Sequence, residues 1–481
     1  MKIAHLVKNA CNPDWRVIKA AEQNAKIKNS KVQVFATQDN YSLPNETVNN
    51  VKYERLYQKF RFNTPLRKRD LEKNILIDIF YMMILGLEVA MKKLKLIEFA
   101  SPRYLSTVRA KRGCRKLFFE NVLNFAPDII HCHDLETLQT GVMIKKKIGC
   151  KLIYDAHEFE LDKNPPAGPL TEILVKRHEG KNIKYADCVV TVSEEIADDL
   201  HKIYNLPEKP LVIYNVPSKP LREKMKTYNL SFFNEQAPAN TKLTFGNLTL
   251  NSILFKRQEL FSNLMSNFLN VGKEQVDNFN QFVTTRNQGP KFTDLFRFKK
   301  IGIHIGLVTV GRGIETCVKA LAMMEDHALI VIGPRNNPSF LNKLINLCGS
   351  YGVRNRVFIL NPLEEGLVSF IGYFDYSLVT TIPNSKSSDY SMPNKLFESA
   401  LAGIPILCAD TISASKFVEK YQIGATFISD NHYDLAAKIN SLCDGKFKNI
   451  KKIPSKELNN FSVKNQYEEL NKYIQSLSSY S

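Results

Sequence analysis

Short apolar runs of strand length alternate with helical patterns in two separate parts of this chain, and the alternation limits the folds open to it. The first part contains Lys2–Val7, Val32–Thr37 and Lys151–Tyr154. The second part contains Ile301–Ile305 and Ala328–Ile332. Buried runs of this length separated by helices are typical of parallel β-sheets. The sequence therefore predicts an α/β chain with two such halves.

Residues 218–299 differ from both halves. They are rich in Asn, Gln, Phe, Lys and Thr, with helical patterns around Ile253–Leu269 and no constellation of catalytic residues. A chain of 481 residues is long enough for two domains of ordinary size and an additional segment. We expect an N-terminal domain at 1–217, an insertion or extended linker at 218–299, and a second domain at 300–454.

Cysteine usage and charge restrict the setting of the protein. Nine cysteines stand apart without a CxxC pair, as expected in a reducing cytoplasm, and the opening MKIAHLV resembles a strand rather than a secretory signal. The net charge of +18 calls for an anionic partner. Residues 51–120 contain 17 Lys and Arg against 7 Asp and Glu, so more than half of the excess lies in one region.

The same basic region contains the apolar stretch Ile75–Leu87. Its unbroken run, Ile79–Leu87, is far shorter than the ~20 residues that span a bilayer. Apolar residues followed by Lys92, Lys93 and Lys95 suit a helix that lies in a membrane interface. A core helix with a basic edge is the alternative interpretation.

In the first half, polar residues follow two predicted strands. The strand Asp128–His131 leads to His133 and Asp134, and Lys151–Tyr154 leads to His157 and Glu158. Because the carboxyl ends of parallel strands form the ligand crevice, these side chains are expected at one edge. Their spacing matches no common metal motif, and hydrogen bonds to sugar hydroxyls suit them equally.

Two further features surround the first strand. No GxGxxG follows it, so a standard dinucleotide fingerprint is absent. Arg16, on the predicted first loop, is a candidate to meet a substrate anion, with capping or ion pairing as the alternative.

In the second half, the loop Gly306–Gly313 runs from a strand into a helix and contains Arg312. Backbone amides and a cation meet a phosphate in this way. A later helix is expected to begin at Ser391 or Asp389, with Pro393 in its first turn and Gly403 at its end.

On that later helix, Asn394, Lys395 and Glu398 are expected on the side that the apolar face leaves free. The lysine and the first amides would face phosphate, and the carboxylate would accept hydrogen bonds from ribose hydroxyls. The group suits a nucleotide diphosphate-sugar, whereas a solvated surface helix is the alternative.

Several motifs, taken together and in order, resemble the glycosyltransferases of family 4 type. They are HCHDLETLQTG, KLIYDAHE, ADCVVTVSEEIADDL and VIYNVP in the first half, and GLVTVGRGIET, GPR and MPNKLFESALAGIPI in the second. The resemblance covers about 1–217 and 300–476.

The resemblance implies two Rossmann-like domains facing across a cleft (the GT-B fold), with the donor held by the second and the acceptor by the first. It also implies retention at the anomeric carbon, no required metal and no cofactor, the nucleotide sugar being a substrate. A C-terminal helix commonly crosses back to the first domain, and we assign 455–481 to that role because Asn465–Leu477 has the right position and periodicity.

The resemblance also implies roles for individual residues. Glu398 matches the ribose-binding glutamate, Arg312 the basic residue facing the diphosphate, and His133 the histidine facing the transferred sugar. Two positions depart from the pattern, since Tyr390 stands in place of a first glutamate and Leu307 in place of an arginine. The predicted catalytic residues are His133, Arg312 and Lys395; the donor-binding candidates are Gly306, Arg312, Gly313, Gly333, Tyr390, Pro393, Asn394, Lys395 and Glu398; the acceptor-side candidates are Arg16, Asp134, His157 and Glu158.

The resemblance implies a hexosyltransferase-type enzyme that acts on a lipid-linked glycan in capsule or lipopolysaccharide synthesis. It is expected in the cytoplasm, on the anionic inner face of the cytoplasmic membrane. A nucleotide-sugar epimerase of the same architecture and a degenerate homologue kept as an assembly partner are the alternatives. Nucleic-acid binding is not expected, because no recognition motif accompanies the charge.

Overall fold

The computed structural model describes residues 1–56, 83–84, 86–92, 117–163, 168–217, 295, 297–335, 337–360, 362, 367–447 and 450–478. The chain divides into two compact units. Unit 1 comprises Met1–Ser218, Asn384–Met392 and Asn460–Ser481, and unit 2 comprises Lys219–Pro383 and Pro393–Asn459.

Unit 1 is built on a sheet of eight described strands in the order β3-β4-β2-β1-β5-β6-β7-β8, parallel except for the β3–β4 pair. The strands are β1 Lys2–Leu6, β2 Lys31–Thr37, β3 Asn45–Val48, β4 Val51–Leu56, β5 Ile129–His133, β6 Lys151–Ala156, β7 Cys188–Thr191 and β8 Leu211–Val212. Its helices include α1 Trp15–Ala25, α2 Asp134–Ile148, α3 Pro169–Ile183 and α4 Glu194–Tyr204. Residues 83–84, 86–92 and 117–125 are also helical.

Local sequence fixes the ends of these helices. Asp14 accepts from Val17 N and begins α1, and Ser193 accepts from Ile196 N and begins α4. Gly149 ends α2 with φ +75°, a conformation that a Cβ would strain. The strand before α2, β5, extends to His133, two residues beyond its predicted end at His131, and α2 begins at the next residue, Asp134.

Unit 2 is built on a parallel sheet of six described strands in the order β11-β10-β9-β12-β13-β14. They are β9 Lys300–Ile305, β10 His327–Ile332, β11 Val357–Leu360, β12 Tyr376–Val379, β13 Ile406–Ala409 and β14 Gly424–Phe427. The helices that follow in the chain are α5 Ile314–Leu321, α6 Pro338–Ser350, α7 Leu367–Ile371, α8 Lys386–Asp389, α9 Asn394–Ala402, α10 Ile412–Tyr421, α11 His432–Cys443, α12 Ser455–Leu458, α13 Val463–Gln466 and α14 Glu468–Ser478, of which α8, α13 and α14 belong to unit 1.

The segment Asn384–Met392 packs within unit 1. The Phe159 N–H donates to Ser387 Oγ at 3.3 Å, and the Ser387 N–H donates to the Asp162 carbonyl at 2.9 Å. Lys386 Nζ donates to the Asp199 carboxylate at 3.0 Å. Nine residues of the second half of the sequence therefore complete the first unit.

The helix predicted to begin at Ser391 or Asp389 differs in the structure. A short helix, α8, ends at Asp389, and α9 begins at Asn394 with Pro393 as its N-cap rather than in its first turn. A residue that precedes proline is sterically pushed out of the helical region, so the chain cannot continue as a helix through Met392. The expected end of the helix at Gly403 is confirmed, with φ +72°.

The α/β class and the two Rossmann-like sheets are confirmed. The predicted insertion 218–299 lies almost entirely outside the described residues. Of the apolar stretch Ile75–Leu87, the structure describes Met83, Ile84, Gly86 and Leu87, which are helical. Among the helices that the structure describes, none combines the length and the hydropathy needed to cross a bilayer.

Candidate functional site

In unit 2, the candidate residues follow the carboxyl ends of β10, β9 and β12, which are neighbours in the sheet. The strand order reverses between β9 and β12, and ligands of open α/β sheets bind in the crevice at such a point. Gly306 follows β9, Gly333 follows β10, and Thr380 follows β12. The predicted loop thus begins beside the switch point of its sheet.

Two glycines allow the strand ends to approach closely. Gly333 has φ +156°, and a Cβ at this position would lie 1.9 Å from the Gly306 carbonyl oxygen. Gly313 has φ +68°, and its Cβ would lie 2.1 Å from the Thr380 carbonyl oxygen. A side chain at either position would displace backbone, so both glycines are required by the geometry of the loop.

Arg312 is anchored through its backbone, and its side chain is exposed. The Thr380 hydroxyl donates to the Arg312 carbonyl at 2.6 Å, and His304 Nε2 lies 3.2 Å from the same oxygen. These two contacts fix the backbone of the loop at Arg312. They are made by its carbonyl oxygen and do not involve its guanidinium.

Two helices begin at this edge without a side-chain cap. Gly313 precedes α5, and Pro393 precedes α9; neither supplies a side-chain hydrogen bond to the first turn. The first N–H groups of a helix have no intrahelical acceptor and carry the positive end of its dipole. Such termini are ready sites for phosphate.

Lys395 is buried, with 6% of its surface exposed, rather than lying on a free side of α9. Its Nζ lies 3.3 Å from His304 Nε2. Burial, together with the nearby charge of Arg312, lowers the pKa of Lys395 to about 8. Burial, followed by the charge of Lys395, lowers the pKa of His304 well below its usual value. Two cations are thus placed close together in a partly buried site.

Glu398 and Asn394 are both half-buried on α9. The structure therefore brings eight of the nine donor-binding candidates to one edge of unit 2. The ninth, Tyr390, lies in unit 1, where its ring packs against that of Phe159 with 6.2 Å between the ring centroids. Sequence reasoning missed His304 and Thr380, although a histidine in the apolar run of β9 was a visible signal.

In unit 1, a buried histidine cluster lies where β1, β5 and β6 run side by side, again where the strand order reverses. The register pairs His5 with His131, and His133 with Asp155. His133 Nε2 lies 3.0 Å from His5 Nδ1, and His133 Nδ1 lies 3.2 Å from His157 Nε2. Both ring nitrogens of His133 are engaged and none of its surface is exposed, which does not favour direct contact with a sugar.

Arg16 lies in α1 rather than on a loop, and it forms a buried ion pair with Asp155. Its Nη2 donates to Asp155 Oδ1 at 2.6 Å, its Nε lies 3.0 Å from Oδ2, and its Nη1 donates to the Ile213 carbonyl at 2.7 Å. The partner of Arg16 is therefore this carboxylate rather than the predicted substrate anion. Burial would raise the pKa of Asp155, but Arg16 and His157 hold it well below its usual value.

His157 lies between two carboxylates. Its Nε2 is 3.2 Å from Asp155 Oδ2, and its Nδ1 is 3.4 Å from Asp134 Oδ2. Burial alone would lower the pKa of His157, but Asp134 and Asp155 raise it to about 10. Asp134 is 30% exposed and Glu158 53% exposed, so these two acceptor-side candidates lie at the accessible rim of the cluster. Sequence reasoning did not identify His5, His131 or Asp155.

Comparison with known proteins agrees with this architecture. Residues 89–216 match the family model of Glycosyltransferase Family 4. A comparison with curated proteins yields no match. Among solved structures, the chain is similar to a glycosyltransferase from Rickettsia africae, with a TM-score of 0.58 and 14% identity, covering 100% of this chain and 99% of that one.

Two further structures are similar. The Anabaena protein Alr3699/HepE in complex with UDP has a TM-score of 0.57 and 13% identity, covering 99% of this chain and 100% of that one. The lipopolysaccharide outer core galactosyltransferase WaaB has a TM-score of 0.54 and 14% identity, covering 99% of each chain. Identities this low establish the fold, which is the GT-B fold of glycosyltransferases. The predicted resemblance is confirmed for residues 89–216 and for the fold.

Proposed function

We propose that this protein is a retaining glycosyltransferase that moves a hexose from a nucleoside-diphosphate sugar to a lipid-linked glycan. The observation that carries the proposal is the edge of unit 2, where Arg312, Lys395 and two uncapped helix N-termini meet at the switch point of the sheet. Two neighbouring cations raise each other's free energy, and a bound diphosphate would relieve that cost.

The chemistry follows from the charge that develops in the reaction. As the bond between the sugar and the diphosphate breaks, negative charge grows on the departing phosphate oxygen. Cations and amides already in place stabilise that charge without reorganisation. Arg312, Lys395 and the N-termini of α5 and α9 would fill this role, so the leaving group needs no metal ion in the proposed mechanism.

The nucleotide would be recognised one helical turn further along α9. Glu398 would accept hydrogen bonds from the ribose hydroxyls, and Gly306, Gly313 and Gly333 would allow the phosphates to approach backbone amides. The Anabaena protein was solved with UDP and with UDP-glucose, which supports a uridine nucleotide as the first donor to test.

On the acceptor side, we assign hydroxyl recognition to Asp134 and Glu158 in unit 1. His133 would act only through His157, which it contacts, because its own ring is buried. Retention of the anomeric configuration rests on the family 4 resemblance of residues 89–216.

A role in capsule or lipopolysaccharide synthesis at the inner face of the cytoplasmic membrane is supported by two observations. One of the similar structures is a lipopolysaccharide galactosyltransferase. The second is the concentration of positive charge in residues 51–120, which suits an anionic membrane surface.

The test is incubation of the full chain with a panel of nucleotide sugars, followed by measurement of released nucleotide and sugar. We expect one donor to be hydrolysed, at a rate reduced at least about tenfold in Arg312→Ala. Lys343→Ala, which removes an exposed cation of α6, should leave the rate unchanged. Donor hydrolysis unaffected by Arg312→Ala, or no binding of any nucleotide, would overturn the proposal. Interconversion of the sugar without its release would instead identify an epimerase.

A further inference from the structure

We propose that unit 1 binds a zinc ion through His133 Nδ1, Asp155 Oδ2 and His157 Nε2. The three residues come from β5, from β6 and from the residue immediately after β6, so they are brought together by strand register rather than by sequence spacing. This explains why the sequence pattern predicted no metal. The site is separate from the cations of unit 2 and does not depend on the proposed transfer reaction.

The three atoms already have the separations of a zinc site. His133 Nδ1 and His157 Nε2 are 3.2 Å apart, His133 Nδ1 and Asp155 Oδ2 are 3.4 Å apart, and His157 Nε2 and Asp155 Oδ2 are 3.2 Å apart. Tetrahedral zinc with bonds of about 2.0 Å places its ligand atoms about 3.3 Å from one another. A cation at the centre of this triangle would need little movement of the ligands.

Hydrogen bonds alone cannot join all three pairs of atoms in the triangle. Asp155 is paired with Arg16, is therefore ionised, and can only accept, so both facing imidazole nitrogens would have to carry protons. Those two protonated nitrogens would then oppose each other across 3.2 Å. If His133 Nδ1 gives up its proton to accept from His157, its lone pair faces the carboxylate at 3.4 Å. A metal ion is attracted to all three atoms at once.

The outer contacts match those of ligands in metal sites. The other nitrogen of His157 lies 3.4 Å from Asp134, the other nitrogen of His133 lies 3.0 Å from His5, and Asp155 is held by Arg16. Histidine ligands usually donate their second N–H to a carboxylate or another acceptor, which fixes the ring and its tautomer.

The charged groups around the triangle and a neighbouring imidazole also favour a metal ion. Two carboxylates, Asp134 and Asp155, face the guanidinium of Arg16 and the imidazole of His157, and a zinc ion would take the place of the proton that His157 otherwise holds between them. His131 is completely buried, its Nε2 lies 3.7 Å from Asp155 Oδ2, and neither of its ring nitrogens has a hydrogen bond within the described residues. Water or this imidazole would complete the coordination.

The test uses the full chain without an affinity tag, stripped with EDTA, dialysed and titrated with Zn²⁺, with bound metal measured by mass spectrometry. We expect about one equivalent, and Co²⁺ in its place should give the visible absorption bands of a tetrahedral site. His157→Ala should abolish this binding, whereas His201→Ala, on α4 of the same unit, should not. Asp134→Asn should weaken the affinity about 10–100-fold, as outer contacts do.

No zinc bound by the unsubstituted chain at saturating Zn²⁺, or unchanged binding by His157→Ala, would overturn the inference. The first of these needs no variant, so a variant that fails to fold does not remove the test. UDP binding to the same stripped protein is measured in parallel and reports on unit 2 alone. A protein that binds UDP but no zinc would retain the proposed function and lose this inference.

Discussion

Arg16 and Asp155 form a completely enclosed ion pair, with 4% and 1% of their side chains exposed, that joins α1 to the centre of the sheet in unit 1. Removal of one partner leaves the other charge buried and unpaired. Arg16→Met should therefore cost unit 1 about 3–5 kcal/mol of stability. Urea unfolding followed by circular dichroism measures it.

The matched control for Arg16 is Lys209→Met, which removes an exposed lysine paired with Glu194 and Asp198. Exposed pairs contribute at most about 1 kcal/mol, so the two variants should differ clearly. Equal losses of stability in the two variants would show that the buried pair of Arg16 and Asp155 contributes no more than an exposed ion pair.

Lys395 should make nucleotide affinity depend on pH. Its pKa of about 8 means that a growing fraction is neutral above pH 8, whereas a bound diphosphate needs the ammonium form. The affinity for UDP measured by calorimetry should fall as the pH rises from 7 to about 9. Lys395→Arg, which stays charged, should remove most of this dependence. A pH profile identical in both proteins would contradict the assignment.

The same lysine should also affect stability. Burial lowers its folded-state pKa below the unfolded value of about 10.4. Lys395 therefore costs stability in full below about pH 8, and the cost disappears as the pH rises toward the unfolded value. Lys395→Met should be more stable than the unsubstituted chain at pH 7, and thermal melts at pH 7 and 10 should show the advantage shrinking. A constant difference would indicate that Lys395 does not titrate in this interval.

Gly313→Ala should impair the loop of unit 2, because the new Cβ would meet the Thr380 carbonyl and φ is positive. We expect weaker UDP binding together with lower stability. Gly349→Ala, in the last turn of α6, meets nothing within 4 Å and should be neutral or stabilising by up to about 1 kcal/mol. Tolerance of alanine at Gly313 would mean that the loop is not held against β12.

Glu398→Gln should weaken nucleotide binding by about 1.5–3 kcal/mol, since a neutral amide replaces a charge-assisted acceptor. The fold should be unaffected, because Glu398 is only half-buried. Calorimetric titration with UDP is the measurement, with the exposed Glu419→Gln as the control. Unchanged affinity would remove Glu398 from the ribose site.

The basic region should bind anionic membranes in a salt-sensitive way. Each lysine or arginine near an anionic surface contributes about 1 kcal/mol, and the attraction is screened by salt. Changing Lys92, Lys93 and Lys95 together to Glu should release the protein from anionic liposomes at low salt without affecting donor hydrolysis. Sedimentation with anionic and neutral liposomes distinguishes the cases, and equal binding to both would contradict the prediction.

The elements and the turn glycines were predictable because they depend on local chemistry. Buried runs marked the strands, and Gly403 marked a helix end to the residue. Pro393 is plain in the sequence, but its effect on the conformation of Met392 was given too little weight in predicting where the helix begins. Local sequence patterns could not supply the strand register or the depth of burial. His133 meets Asp155 because β5 and β6 align in this register, and Lys395 is buried beside His304, a residue 91 positions earlier in the chain.

Unit 1 is assembled from three separate stretches of the sequence. The Tyr467 hydroxyl donates to the Arg16 carbonyl at 3.4 Å, and Asn24 bonds to Asn471 at 2.9 Å. A gene fragment that ends at residue 218 would therefore encode the sheet of unit 1 with an α1 that lacks its contacts with Tyr467 and Asn471. Exchange of second halves between chains of this fold by a single crossover would fail here, since a working chimera must carry Asn384–Met392 and Asn460–Ser481 along with the first 218 residues.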